Sequence, residues 1–412
     1  MNDCNKILST LILFIATTPA FAQDIAVRGE RIYTVAGTVI ENGVVIVRDG
    51  KIAAVGSAGE VTVPDGIDVL DAAVVTPGLI DAHTVVGMVG YLSQAGDQDY
   101  LERSAAIQPD LRAIDAYNAR EPLVEWLRDF GITTIHSGHG PGETVSGQTL
   151  IAKTRGDTVA DAVMEPAAMV AATIGEGAVM SGDGGRNTPG TRAKVAAMLR
   201  AELLKAQSYA EKTASAEDDD EKEPPPRDLR MDVLAGVISG ETPLLVTANR
   251  HNDIMTALRI AEEFKINMIL DGAAEAYLLL DEIKAAGVPV IVHPAMARAS
   301  GERENLSFTT AAKLIEAGIP TAFQSGYEGY VPKTRVVLYE AAITLAHGVS
   351  FDQALAAITI DAAKILGIDD RVGSIEVGKD GDLALYDGDP FEYTSHAIGT
   401  IIDGVHVSAT VK

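Results

Sequence analysis

Cysteine is all but missing from this chain. The single thiol, Cys4, lies ahead of the apolar run 7–16, and Ala20-Phe21-Ala22 supplies a small-residue cleavage site behind it. With Lys6 as the positive end, residues 1–22 read as a signal peptide cut after Ala22, which directs the chain to a secreted or periplasmic location. The mature chain then holds no cysteine. That excludes disulfides, a thiol nucleophile and thiolate metal ligands together. The apolar run is also too short to span a bilayer, so no stable membrane anchor is expected.

Positive charge is scarce as well. Lys and Arg number 33 against 58 Asp and Glu, a net charge of −25, which argues against nucleic acid or an anionic membrane surface as partner. Coiled-coil repeats, basic patches and a phosphate loop of Walker spacing are all missing, so a purely structural or interaction module has no support. What is present, 412 residues with 47% apolar side chains, fits one large barrel with an accessory domain.

Short alternating strands are predicted at 31–35, 43–48, 51–55 and 68–71, and again at 373–377, 383–386, 397–402 and 405–411. Asp49-Gly50 between VVIVR and KIAAVG is a hairpin turn. All-β pieces at both ends are expected to form one domain, 23–76 plus 368–412, around a middle part spanning 77–367. In that middle a unit recurs: a helix ends at Gly or Lys, one branched residue follows, and an apolar strand begins. It appears at Gly131-Ile132, Lys265-Ile266, Gly287-Val288 and Gly318-Ile319. Strands follow at 78–83, 132–136, 244–248, 268–271, 289–293 and 320–324, with the third and fourth placed somewhere within 144–174. Repeated parallel βα units predict an α/β fold closed as a TIM-like (β/α)8 barrel.

Two stretches read as insertions. Residues 90–120 are expected to form a rim or lid over the barrel mouth. The acidic 211–227, EKTASAEDDDEKEPPPR, reads as a disordered loop. The run 181–190 is expected to open a helix with Thr188 as N-cap and Pro189 as first helical residue, and the helix before the acidic stretch is predicted over 191–209.

The rest of the chain is organised around residues 74–90, VVTPGLIDAHTVVGMVG, where Pro77-Gly78 turns and a buried strand delivers Asp81 and His83 at its C-terminal end. This stretch resembles the PGLIDxHxH signature of the amidohydrolase superfamily, especially its imidazolonepropionase-like branch. The run from Val372 to Asp380 followed by Asp382-Leu383 resembles the C-terminal hallmark of that family, whose termini meet in a β-sandwich. The resemblance implies a hydrolase of non-peptide C–N bonds with two metals. These would be held by a histidine pair after strand one, histidines after strands five and six, and an aspartate after strand eight. Here the second histidine of the pair is Val85, the strand-five position is Thr247 or Asn249, strand six ends at Gly272, and strand eight at Ser325-Gly326. Val and Gly carry no ligand atom, so the usual binuclear centre is not expected.

Five of the eight histidines nevertheless fall where strands reach the barrel mouth: His83, His136, His139, His251 and His293. They are candidate ligands for one divalent ion, zinc first, in a rearranged site of three imidazoles with an open position. Among the carboxylates at the same pole, Asp81 reads as a cap for backbone N–H groups. Asp271 and Glu328 are candidate general bases, and Glu275 lies nearby. The glycine-rich 137–142 offers N–H groups for an anion nest, and 181–190 reads as a flexible loop. Two functions stay open: a secreted hydrolase of a small molecule, and an inactive pseudoenzyme that binds a small ligand in the barrel mouth.

Overall fold

The computed structural model describes residues 24–179, 189–217, 219, 221–293, 298–328 and 336–412. The signal-peptide reading at 1–22 and most of the run 181–190 lie outside them.

The first strands are β1 (Ile25–Ile32), β2 (Ile40–Arg48), β3 (Lys51–Ser57), β4 (Asp68–Pro77), β5 (Leu79–Thr84) and β6 (Ile132–Ser137). Next come β7 (Val145–Gln148), β8 (Leu150–Lys153), β9 (Val163–Glu165), β10 (Val170–Thr173), β11 (Leu244–Ala248) and β12 (Met268–Gly272). The last are β13 (Val290–Val292), β14 (Thr321–Phe323), β15 (Leu383–Tyr386), β16 (Ala397–Ile402) and β17 (Val405–Ser408).

Strands from both ends of the chain share one seven-stranded sheet, ordered β17-β16-β15-β4-β1-β2-β3. Its inner face buries Val27, Val45, Val47, Val75, Leu383 and Ile401. The strand expected at 373–377 is instead irregular. Gly373 and Gly378 both sit at positive φ and break the extended run, while Ile375 is buried and its N–H reaches Thr34 O.

β4 passes straight into β5 through Pro77-Gly78. A Cβ on Gly78 would lie 2.2 Å from Thr133 Oγ1, so only glycine lets β6 come alongside. The strands placed by the helix–Gly–branched-residue pattern all form, each within one residue of its expected ends. The caps behave as expected too: Gly131, Lys265, Gly287 and Gly318 are all left-handed.

The ladders draw two mixed sheets, β14-β13-β12-β11-β10-β7 and β5-β6-β8-β9, and not a uniformly parallel ring of eight. β7 pairs antiparallel with β10, and β8 antiparallel with β6. The cause is local. A parallel return after β6 needs a crossover of a dozen residues or more, and Ser137 is too close to Val145 for one. β7 and β8 are two halves of one extended run through Thr149, which links the two sheets. On the far side, a parallel bridge between Thr84 and Gly326 joins β5 to the end of β14. Ile80, Ile151, Leu245, Ile269, Ile291 and Ala322, one from each of six strands, pack into a single apolar cluster.

The helix after the glycine-rich run covers Arg192–Glu217, so residues 211–217 are helical and correct the expected disordered loop there. Alternating good helix formers carry it on until the aspartate run. Thr191 accepts from Lys194 N and caps it, while the expected cap Thr188 lies outside the described residues. The insertion 90–120 packs over the end of β6 and onto β7: Gly140 N reaches Tyr100 O, Val145 N reaches Ala106 O, and Gln148 N reaches Leu111 O. Among the described residues no helix is long and apolar enough to cross a membrane.

A buried ion cluster ties the terminal sheet to β8. Lys153 Nζ donates to Asp382 at 2.5 Å, Asp380 at 3.0 Å and Asp403 at 3.3 Å. Asp380 also accepts from Lys51 and Arg371. Burial pulls the Lys153 ammonium toward neutrality, but the three carboxylates outweigh it and hold the pKa above the ordinary value.

Candidate functional site

Side chains at the C-terminal ends of β5, β11, β12, β13 and β14 converge on one buried cluster. The alternation that turns Leu245, Ile269, Ile291 and Ala322 into the apolar layer also turns in Thr247, Asp271, His293 and Gln324, two residues further on. β5 departs from this. Ile80 and Ala82 point into the layer, which would turn His83 away. Between Asp81 and Thr84, however, β5 carries one more residue than β6 opposite it, and this bulge re-aims His83 inward.

His83 Nδ1 donates to Asp271 Oδ1 at 2.9 Å. Asp271, fully buried, also accepts from Thr247 Oγ1 at 2.6 Å and Gln324 Nε2 at 2.7 Å. Burial alone would raise its pKa, but the His83 ring and these donors outweigh that and keep the carboxyl below its usual value. An ionised Asp271 fixes the proton on Nδ1. His83 Nε2 has no hydrogen-bond partner although the residue is only 1% exposed. Asp81 faces sideways and accepts from Ser325 N and His83 N, the capping role expected of it; burial pushes its carboxyl up to about 6.

Next to this pair lies the Tyr327 ring, 5.8 Å from the His83 ring and 5.3 Å from that of His293. Arg303 Nη1 donates to His293 Nε2 at 2.5 Å and to Glu328 Oε1 at 2.8 Å. Burial works to raise the Glu328 pKa, but the Arg303 guanidinium donating to Oε1 holds it below the usual carboxylate range. Asp271 thus holds His83, Thr247 and Gln324 by hydrogen bonds, and Glu328 Oε1 holds Arg303. Both candidate general bases are engaged by donors, Asp271 on both oxygens and Glu328 on Oε1, which speaks against a free base at either position. A recess of about 20 Å³, room for one water, adjoins His293, Gln324 and buried Glu340 between Phe308 and Phe323.

The five histidines do not converge. His136 spends both ring nitrogens, Nδ1 on Ala82 O at 2.8 Å and Nε2 on Thr149 Oγ1 at 2.7 Å. His139 is buried against Gly147, with both nitrogens unpartnered. His251 opens the helix His251–Phe264 on the surface and pairs with Glu275 at 2.7 Å. His293 accepts from a guanidinium. Among the described residues no three His, Cys, Asp or Glu side chains gather as a metal site needs. The donor set does not fit the rearranged zinc site, for a geometric reason: His136 spends both nitrogens, His293 Nε2 faces a guanidinium, His251 lies on the surface and His139 is walled in against Gly147, which leaves His83 Nε2 without companion ligands. The glycine-rich 137–142 is no open nest either, since Gly140 N binds Tyr100 O and Gly142 N binds Thr173 Oγ1. Arg303, Tyr327 and the β5 bulge went unread in the sequence; Tyr327, beside Glu328 at the end of a barrel strand, was the one with a positional signal.

The buried histidines make the fold acid-sensitive. Burial, helped by the nearby His83, lowers His136 to about 3, and burial lowers His139 to about 4. Both are neutral in the fold and titrate near 6.5 when unfolded. Their stabilisation is complete above that pH and is lost as pH falls below it, by about 2 kcal/mol each at pH 5. The raised Asp81 works in the opposite sense between about 6 and 4, so a difference measurement isolates one group. Urea unfolding of His139→Leu and wild type should diverge by about 2 kcal/mol in favour of the variant between pH 7.5 and 5. Parallel curves would show that His139 is not held neutral.

Comparison with known proteins agrees with this architecture. Residues 239–408 match the amidohydrolase family. Amidohydrolase tasK of Hapsidospora irregularis is 23% identical over 399 residues, covering 89% of this chain but only 39% of that relative's length. The imidazolonepropionase of Solibacter usitatus is 25% identical over 389 residues, 88% of each chain. Among solved structures, an amidohydrolase from Thermotoga maritima has a TM-score of 0.88 at 28% identity, covering 94% of this chain and 100% of that one. A zinc-bound adenosine deaminase from Xanthomonas campestris shares the fold alone, at a TM-score of 0.55 and 15% identity over 94% and 93% of the chains. This likeness runs nearly end to end and adds to the strand that delivers Asp81 and His83: the chain resembles the amidohydrolase superfamily, and within it the imidazolonepropionase-like branch.

Proposed function

We propose that this chain is an exported hydrolase of a non-peptide C–N bond in a small molecule, with His83 as its general base. The observation that carries the reading is the Asp271–His83 pair, whose free Nε2 lies buried at the strand ends. We read the two mixed sheets as one TIM-like barrel, because the run 145–153 links them on one side and the Thr84–Gly326 bridge on the other. In the same reading the seven-stranded sheet is a composite domain of residues 23–76 and 368–412.

In this reading a water enters beside His83, and Nε2 takes its proton as oxygen attacks the carbonyl carbon. Asp271 keeps the ring aligned and stabilises the imidazolium that forms. Arg303 and the Tyr327 hydroxyl, whose pKa burial raises well above 10, bear on the oxygen that gains negative charge. His83 then returns the proton to the leaving nitrogen as the C–N bond breaks, which gives a carboxylic acid and an amine. No step passes through a metal, since the donors do not fit one.

A panel of lactams, cyclic ureas, imidazolones and N-acyl amino acids tests this. Hydrolysis of at least one class is expected. The near-complete closure of His83 favours a second reading, ligand binding without turnover. That reading takes over if panel compounds raise the melting temperature and none is cleaved. For export, N-terminal sequencing of protein recovered outside the cytoplasm should begin at Gln23; a chain that retains Cys4 would refute it.

A further inference from the structure

We infer that the Arg303 guanidinium is the resident cation of this site, seated where a divalent ion would otherwise bind, and that it makes the chain metal-independent. The inference rests on the superfamily reading of the site, but not on turnover.

Nη1 of Arg303 lies 2.5 Å from His293 Nε2 and 2.8 Å from Glu328 Oε1, and those two atoms are 3.7 Å apart. An imidazole nitrogen and a carboxylate oxygen bound tetrahedrally at about 2.0–2.2 Å to one zinc would stand roughly 3.4 Å apart. The guanidinium nitrogen thus bridges a donor pair of nearly metal-binding separation. His293 Nε2 accepts a hydrogen bond here, so its electron pair, the one a metal would take, is turned toward a group that is always positive.

The cation is also built in from behind. Arg303 ends the 3₁₀ turn Gly301–Arg303. In that turn Glu302 accepts from Glu176 N at 3.1 Å and Asn249 Nδ2 at 2.7 Å, and the following Glu304 accepts from Arg250 at 2.9 Å. These contacts lie on the far side of the mouth, beyond β10 and β11, so the turn spans the cluster and sets the guanidinium down between His293 and Glu328. A fixed guanidinium polarises a carbonyl oxygen but does not generate hydroxide from bound water. This is why water activation falls to an imidazole with a free nitrogen.

The test is metal uptake by untagged full-length protein, by elemental analysis and thermal unfolding with added zinc. Wild type should hold less than one tenth of an equivalent and show no zinc-dependent rise in melting temperature. Arg303→Ala, with the seat vacated, should take up one equivalent and melt about 2 °C or more higher at saturating zinc. Adding His293→Ala should abolish that uptake, and Arg303→Lys, which keeps a cation there, should take up none. One equivalent in wild type, lost in His83→Ala, would overturn the inference. So would a folded Arg303→Ala or Arg303→Met that binds no zinc. These readouts do not involve catalysis, so an inactive wild type would refute the hydrolase reading and leave this one standing.

Discussion

A His83→Gln variant should lose hydrolysis by about 10³-fold or more in kcat/KM while folding normally. A positioned general base contributes roughly 10²–10⁴ in rate. Among the described residues of the cluster, His83 is also the imidazole that keeps an unpartnered nitrogen. Glutamine can still donate its amide N–H to Asp271, so packing and the buried hydrogen bond survive while the basic nitrogen is lost. Asp271→Asn should cost a comparable factor by a different route. An asparagine at that position can present an N–H to Nδ1, which moves the imidazole proton to Nε2 and removes the acceptor. The two effects should not add, because both remove one function, so the double variant should be no slower than the worse single one. A His83→Gln enzyme within tenfold of wild type would exclude His83 as the base.

The second large effect is on stability. Lys153→Met should destabilise the fold by about 3–5 kcal/mol at pH 7, the usual cost of removing one partner from a buried charge cluster. Lys153 and the carboxyls of Asp380 and Asp382 are almost fully buried, so water does not replace the lost ammonium. The deficit should shrink in acid, since carboxylates left without their cation take up protons on folding, and the loss at pH 5 should be smaller than at pH 8. Lys153→Met with Asp382→Leu should recover part of it by removing the orphaned charge. Urea denaturation read by circular dichroism measures all three. A single-variant loss under about 1 kcal/mol would mean that Lys51, Arg155 and Arg371 neutralise the cluster without Lys153.

Much of the scaffold was legible because it follows from short-range chemistry. A helix that ends in a left-handed residue before a branched, apolar run has few alternatives, and Gly131, Lys265, Gly287 and Gly318 mark strand starts to within a residue. The same logic failed between residues 144 and 174, where the strands are antiparallel and no helix–cap–strand unit announces them. At the site, Asp271 and His293 were readable as residues at strand ends, but their roles were not. Whether Asp271 acts as a base or holds one depends on three donors from β5, β11 and the end of β14, none of them near it in sequence. His136 and His139 stand at equivalent-looking positions after β6, yet one is saturated and the other is walled in against Gly147. Arg303 sits in a charged loop between a strand and a helix, where an arginine is ordinarily solvated. Only tertiary structure turns it inward.

The most direct test of the account is the rate of the metal-stripped enzyme. Wild type should be chelated and dialysed until it holds less than one tenth of a metal per chain, then assayed against whichever panel compound it cleaves. His83→Gln should be assayed in parallel. Catalysis by the Asp271–His83 pair predicts that stripped wild type keeps its full kcat/KM, that added zinc does not raise it, and that only His83→Gln loses it. Activity that falls in proportion to metal content and returns with zinc would contradict the account.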